Sequence, residues 1–286
     1  MVLLVRFGEI ALKSRFVRRQ LRDRLVANIQ DLFAAEGVEC VTEADEARVY
    51  VHTSDVEIGR GILSRVFGVV SMSPAAETRA DLPSLRDLAV REASRVLAPG
   101  RSFALRPRRA GTHPFTSHDL AADIGDAIRA AVPGARVDLT RPDVEIHLEA
   151  RQNRGFVFRE IWPGPGGLPL GSQGRALALV DSDAGMVAAW LGMKRGCRVT
   201  VAARGEETHV EPLRRWDTHL KVLEAGSPDG LAELVRIARA EAVILGTKWD
   251  AFRPDGRPAL DVPVFEPAIG LTDDEVRALA DRIRAA

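Results

Sequence analysis

The sequence predicts two fold classes in series: an α+β front half, then an α/β domain with a parallel sheet. Three observations carry this. Residues 15–36 place Val17, Leu21, Leu25, Ile29 and Leu32 on one helical stripe, between segments with strand character. Residues 144–149, Val-Glu-Ile-His-Leu-Glu, alternate as a half-buried strand does. From residue 175 on, short apolar strands alternate with helices, the pattern of a parallel sheet.

The elements follow in order. Residues 2–7 read as a strand, 15–36 as a helix, and 38–42 and 47–52 as short strands, the last rich in β-branched residues. This first unit ends near residue 54. Residues 58–67 have helical spacing, 69–73 are strand-like, and 85–97 form an amphipathic helix stopped by Pro99-Gly100. A strand at 102–106 leads into a polar turn at 108–115, and Thr116 or Ser117 caps a helix that runs to Ala131. Strands follow at 137–139, 144–150 and 155–162. Residues 163–174 hold five Gly and three Pro, a linker or an ordered turn. Beyond it come strands at 176–180, 198–203 and 242–245 and helices at 185–194, 231–240 and 272–285, the last opened by a Thr272/Glu275 capping box.

Composition bounds the function. Forty basic residues balance forty acidic ones, so net charge points to no partner and only its distribution can. Of the basic residues 36 are Arg and four are Lys, a bias that a GC-rich genome explains as well as phosphate binding does. Between Arg6 and Arg24 lie seven basic residues (Lys13, Arg15, Arg18, Arg19 and Arg22 among them) against Glu9 and Asp23. Arg15, Arg18, Arg19 and Arg22 fall off the apolar stripe, so they face outward together. A second cluster, Arg106, Arg108 and Arg109, has no acid between Arg101 and Asp119. Arg forks suit phosphate oxygens, and either cluster reads as a nucleic-acid footprint or as a solvated face. Cys40 and Cys197 are too few for a disulfide framework or a Cys-rich zinc site, and they fit a reducing cytoplasm. No apolar run reaches membrane-spanning length, and the N-terminus reads as a strand rather than a signal peptide. The six His show no metal-ligand spacing, and no Gly-x-Ser-x-Gly elbow occurs. Neither a metal site nor a catalytic residue is expected.

The blocks FGEIALKSRFVRR (7–19), VFGVVSMSPA (66–75), RPRRAGTHPFTSHDL (106–120), VDLTRPDVEIHLEAR (137–151) and GPGGLPLGSQGR (164–175) resemble, in order, signatures of the tRNA 4-thiouridine synthetase family. VAAWLGMKRGC (187–197) and PVFEPAIGLTDDEV (263–276) extend the match. The resemblance implies a ferredoxin-like domain at 1–54, a THUMP domain at 55–163, a linker at 164–174 and a PP-loop-type α/β domain at 175–286. It also implies that the front domains bind the acceptor arm and 3′ end of tRNA. Arg106, Arg108 and Arg109 would meet phosphates, with Lys13, Arg15, Arg18, Arg19 and Arg22 extending the footprint. Phe115 either stacks on a base or ribose or anchors its own turn, and Thr116 and Ser117 would donate to phosphate.

The sequence departs from the family at the nucleotide loop. Where the family has Ser-Gly-Gly-x-Asp-Ser, this chain has Val180, Asp181, Ser182, Asp183, Ala184 and Gly185. Both loop glycines are gone, and two carboxylates point at the place of a pyrophosphate. The last domain is short, 247–261 is unlike the family's polar loop, and the family's late cysteine has no counterpart. Cys197 reads as a buried residue at a helix-to-strand junction, Cys40 as core. The expectation is a tRNA-binding protein without its own adenylation and sulfur transfer, needing no cofactor and working as a homodimer or beside a partner PP-loop enzyme. The alternative is a divergent but active sulfurtransferase that adenylates uridine with ATP.

Overall fold

The computed structural model describes residues 1–8, 14–204, 207–226, 230–253, 255, 258 and 260–286. Its elements in chain order are β1 (Val2–Phe7), α1 (Arg15–Ala35), β2 (Cys40–Ala44), β3 (Val49–Thr53), α2 (Val56–Leu63), β4 (Val69–Arg79), α3 (Leu82–Ser94), β5 (Ser102–Ala110), α4 (Ser117–Ala131), β6 (Arg136–Val137), β7 (Val144–Arg151), β8 (Arg154–Phe158) and β9 (Trp162–Pro163). Then follow β10 (Gln173–Val180), α5 (Asp183–Lys194), β11 (Cys197–Ala203), α6 (Glu211–Arg214), β12 (Lys221–Glu224), α7 (Leu231–Ala238), β13 (Ala242–Ile244), β14 (Val264–Phe265) and α8 (Asp273–Ala285), with a 3-10 turn at Glu207–His209. The chain divides into two compact units. The first is Met1–Leu4, Tyr50–Val56 and Met72–Trp162; the second is Val5–Val49, Glu57–Ser71 and Pro163–Ala286.

In the first unit the strands run in the order β3-β1-β4-β8-β7-β5-β6. β5 pairs with β7 in parallel, and β8 runs antiparallel to both β7 and β4. A parallel pair needs a crossover, and α4 supplies it between β5 and β7. α3 and α4 cover one face through Leu85, Leu88, Leu120, Ile124 and Ile128, against Phe103, Ile146 and Leu148. The opposite face buries Val2, Leu4, Tyr50, Ala75, Phe156 and Phe158. Tyr50 stacks on Phe156 at 5.4 Å, and the Arg154 guanidinium lies over Tyr50 at 4.1 Å while its fork grips Glu77 at 2.6 and 2.9 Å.

In the second unit five parallel strands run β12-β11-β10-β13-β14. β10 is the first strand of this sheet in the chain and sits between β11 and β13, so the strand order reverses at β10/β13. α5 is buried over most of its surface, from Gly185 to Trp190 and at Gly192 and Met193. A helix apolar on all sides belongs in a core. α1 buries Leu21, Leu25, Ile29, Leu32 and Phe33, the stripe read from sequence.

What binds the early segments to the late sheet is an aromatic trio. Phe67 stacks on Trp216 at 5.1 Å and meets Trp190 edge-on at 5.5 Å; the two indoles cross at 5.2 Å and 87°. All three are at most 2% exposed. Trp216 Nε1 donates to the Ile283 carbonyl at 3.3 Å, which satisfies its polar end. Polar ties surround the trio. Arg65 donates to Glu36 Oε1 at 2.6 Å and to the Arg215 carbonyl, and Arg198 pairs with buried Asp217 at 2.8 Å.

Several expectations change in detail. Residues 163–174 are an ordered turn. Gly166 N donates to Val69 O at 2.8 Å, Leu168 N to Lys194 O at 3.0 Å, and buried Asn28 donates to Leu170 O at 3.0 Å. Gly167 needs φ +79° there, and any Cβ would overlap the Lys194 carbonyl. The strand expected at 102–106 continues to Ala110, because β7 pairs with it along its whole length, so the arginines lie on a strand and not in a turn. β4 extends to Arg79 for the same reason: β8 pairs with its far half. β12, α6 and β14 have too few residues for a readable period. The expected Thr272/Glu275 capping box forms, and Thr116, not Ser117, caps α4, in a second box with Asp119.

Truncating Phe67 to Ala removes the ring between two tryptophans and is expected to destabilise the protein by about 3–5 kcal/mol. Urea unfolding followed by tryptophan fluorescence measures it; a change smaller than about 1 kcal/mol would show that the trio does not hold the unit.

Candidate nucleic-acid interface

α1 starts at Ser14, whose hydroxyl accepts from Val17 N. Arg15, Arg18, Arg19 and Arg22 follow at i, i+3, i+4 and i+7, one face of the helix. With Glu46 they line a shallow depression of about 310 Å³. Arg15 reaches Glu46 at 3.4 Å, Arg22 pairs with Asp23 at 2.8 Å and Arg19 with Asp23 at 3.8 Å. Arg18 is half-buried, with Nε enclosed and lacking a hydrogen-bond partner. Exposed pairs of this kind contribute about 0–1 kcal/mol, so these arginines can exchange a carboxylate for a phosphate at little cost. Lys13 lies outside the described residues.

The second cluster sits on β5. Arg106 and Arg108 project from one face and Arg109 from the other. In register, Arg106 lies opposite His147 and Arg108 opposite Glu149. Glu145 accepts from Arg106 Nε at 3.0 Å and Nη2 at 2.7 Å, and Arg106 also donates to the Leu139 carbonyl. Thus a stretch without acids in sequence is not free of acids in space. Arg108 is exposed and has no ion-pair partner among the described residues; Arg109 donates to the His113 carbonyl at 3.4 Å. Glu149, 2% exposed, lies 3.8 Å from Arg151.

The turn after β5 decides between the two readings of Phe115. Phe115 is 6% exposed, part of the core under α3 and α4, with His113 stacked on it at 5.3 Å. It anchors the turn and offers no face to a base. Thr116 is the cap of α4: its hydroxyl accepts from Asp119 N at 3.1 Å and its own N–H donates to Asp119 Oδ2 at 2.8 Å. These bonds hold the Asp119 carboxyl below its usual range. The Thr116 hydroxyl therefore caps the helix as an acceptor. Ser117 is the first helical residue and half-buried.

At the end of β10, Val180 is buried and Asp181 is exposed. Ser182 caps α5, its Oγ accepting from Gly185 N at 3.2 Å and donating to Asp181 Oδ1 at 3.0 Å. Asp183 is paired with Arg284 from α8 and with His209 Nδ1 at 3.0 Å. Its negative charge is compensated within the domain, which the loop sequence alone does not reveal. Ala184 and Gly185 lie under Gly246, where a Cβ would overlap the backbone of the first turn of α5. Cys197 and Cys40 are half-buried, and burial pushes both thiols up, away from the reactive thiolate.

The ThiI ferredoxin-like domain family model matches residues 2–73, and the THUMP domain model matches residues 79–159. A probable tRNA sulfurtransferase from Methanothermobacter thermautotrophicus is 32% identical over 337 aligned positions, covering 99% of this chain and 84% of that protein. The chain belongs to the tRNA sulfurtransferase family. A probable tRNA sulfurtransferase from Methanosarcina acetivorans is 37% identical over 75% of this chain, and the chain spans 53% of that relative. Among solved structures, PH1313 from Pyrococcus horikoshii matches with a TM-score of 0.85 and 28% identity, each chain covered to 99%. A 4-thiouridine synthetase in complex with RNA and ATP shares the fold, with a TM-score of 0.77 at 18% identity over 99% of this chain and 84% of that one.

The Asp183 cluster has a pH signature in this family member. Burial raises the carboxyl, but Arg284 and His209 outweigh it, and the net pKa lies below the ordinary 3.8. The stability it contributes is present above that value and fades as pH falls through the folded pKa. Arg284→Ala leaves burial opposed only by His209 and is expected to raise the Asp183 pKa. NMR titration of the carboxyl reads this directly, and an unchanged pKa would refute the pairing.

Proposed function

We propose that this chain is a tRNA-binding protein of tRNA modification that does not itself adenylate uridine. The observation that carries the second half is the start of α5. A helix N-terminus binds phosphate through free N–H groups and positive potential. Here Ser182 occupies Gly185 N, Asp183 brings a carboxylate already paired with the Arg284 guanidinium and the His209 imidazole, and the backbone at Gly246 is packed against the first turn. The residues at 180–185 therefore do not fit a triphosphate.

Family membership and the RNA-bound relative support tRNA as the partner. The α1 face and the β5 arginines are the surfaces proposed to meet it, at the acceptor arm and 3′ end. Duplex RNA offers mainly phosphates and 2′-hydroxyls, which guanidinium forks suit. A second copy of the chain or a separate PP-loop enzyme would supply the chemistry, in the cytoplasm, where lone thiols persist. No described helix is long and apolar enough to cross a membrane. The second reading, an active sulfurtransferase, is favoured by relatives that carry that name along most of this chain.

Changing Arg106, Arg108 and Arg109 together to Ala is expected to weaken tRNA binding and to flatten its salt dependence, by about one unit of log-log slope for each phosphate the variant no longer holds. Arg108→Ala should cost more affinity than Arg106→Ala, because Arg106 must first leave Glu145. Gel shifts across a salt series measure both; an unchanged slope in the triple variant would remove these residues from the interface. Calorimetry with ATP separates the two readings. No heat at micromolar nucleotide is expected, and micromolar affinity or ATP/pyrophosphate exchange would establish the active enzyme instead.

A further inference from the structure

A second face of α1 borders a groove that the arginine stripe does not use. Val17, Gln20, Leu21, Arg24 and Ala27 recur at i, i+3, i+4, i+7 and i+10, and face the turn at Leu168–Gln173 and Arg195 beyond α5. The groove holds about 890 Å³, within the roughly 300–1,000 Å³ range of sites that enclose a small ligand. Its floor is apolar, from Val17, Leu21 and Leu168. Its rim is polar and basic, from Gln20, Arg24, Ser172, Gln173 and Arg195.

Two rim groups lack side-chain partners among the described residues. Among the described residues, neither the Arg24 guanidinium nor the Gln20 amide is held by an ion pair or side-chain hydrogen bond. Ser172 Oγ is enclosed against Gly196 and is not presented to the groove. The one acid in the groove, Asp23, is already engaged by Arg22 at 2.8 Å. The groove therefore presents net positive charge, uncommitted donors and an apolar floor together.

We propose that this groove binds an unpaired RNA segment of the tRNA held by the protein. The inference rests on the tRNA-binding reading above and adds a site to it. In an RNA helix the base faces are stacked inside, so an apolar floor gains nothing from duplex RNA. An unstacked nucleotide offers all three chemistries: phosphate for Arg24, hydroxyl and base-edge groups for Gln20, and a base or ribose face for Leu21 and Leu168. The Arg15–Arg22 face lies on the same helix, so a strand gripped there by its phosphates needs to travel only across α1 to reach the groove.

The test compares two probes on the intact chain: a fluorescent unpaired tetranucleotide and a blunt RNA hairpin. The variant is Gln20→Ala/Arg24→Ala, at helix positions where Ala preserves helix propensity. Wild type is expected to bind both probes, and the variant to lose at least fivefold in affinity for the tetranucleotide and less than twofold for the hairpin. If wild type binds tRNA and hairpin but not the tetranucleotide, or if the variant binds the tetranucleotide as wild type does, the groove proposal is overturned and the tRNA reading stands. If wild type binds neither tRNA nor hairpin at low salt, both are overturned. A variant that weakens both probes equally assigns Gln20 and Arg24 to general phosphate binding and also overturns the groove.

Discussion

The packing of Phe67 between Trp190 and Trp216 is the contact on which the second unit depends. It joins a residue just after α2 to the buried helix of the parallel sheet and to the loop after α6. Three large rings with almost no exposure bury more apolar surface than any polar tie around them, and aromatic packing adds about 0.5–1.5 kcal/mol per pair beyond area. With Trp216 bonded to α8 through Ile283, removing one ring loosens early and late segments together. The ordered Gly/Pro turn and the Asn28–Leu170 bond follow from this closeness: a turn packed on both sides must satisfy its backbone groups internally.

That shared core gives the α/β sheet a structural role whether or not it handles a nucleotide. Its strand order reverses between β10 and β13, the place where open α/β sheets bind ligands. In this chain the Ser182 cap, the Arg284–Asp183–His209 cluster and the Gly246 backbone meet at the start of α5, beside that point. There the Asp183 carboxylate is held by a guanidinium and an imidazole.

The basic surfaces show how local charge differs from charge in the fold. On α1 the acids that the arginines meet among the described residues are Glu46 and Asp23, in weak pairs, and Arg22 also donates to the Asp45 carbonyl, so the stripe stays available. On β5 a parallel partner from farther down the chain sets Glu145 against Arg106, and the cluster read as purely basic becomes mixed. Arg108 and Arg109 remain outward. α1 thus offers two chemically distinct faces, a guanidinium stripe and a groove with an apolar floor.

Amphipathic spacing in the sequence determined α1 and α3, because a helix needs only its own 3.6-residue period to define a buried stripe. Alternation determined β7, and capping chemistry determined the starts of α4 and α8, since those bonds close within a single turn. The ordered blocks of family residues determined the family. Tertiary structure alone decided the rest. The length of β5 required β7 beside it. The burial of Phe115 required the α3/α4 core above it. The fate of Asp183 depended on Arg284, at the far end of the chain. Each is a partnership between distant positions, and such partnerships leave no period and no local motif, because folding, not sequence proximity, brings the groups together.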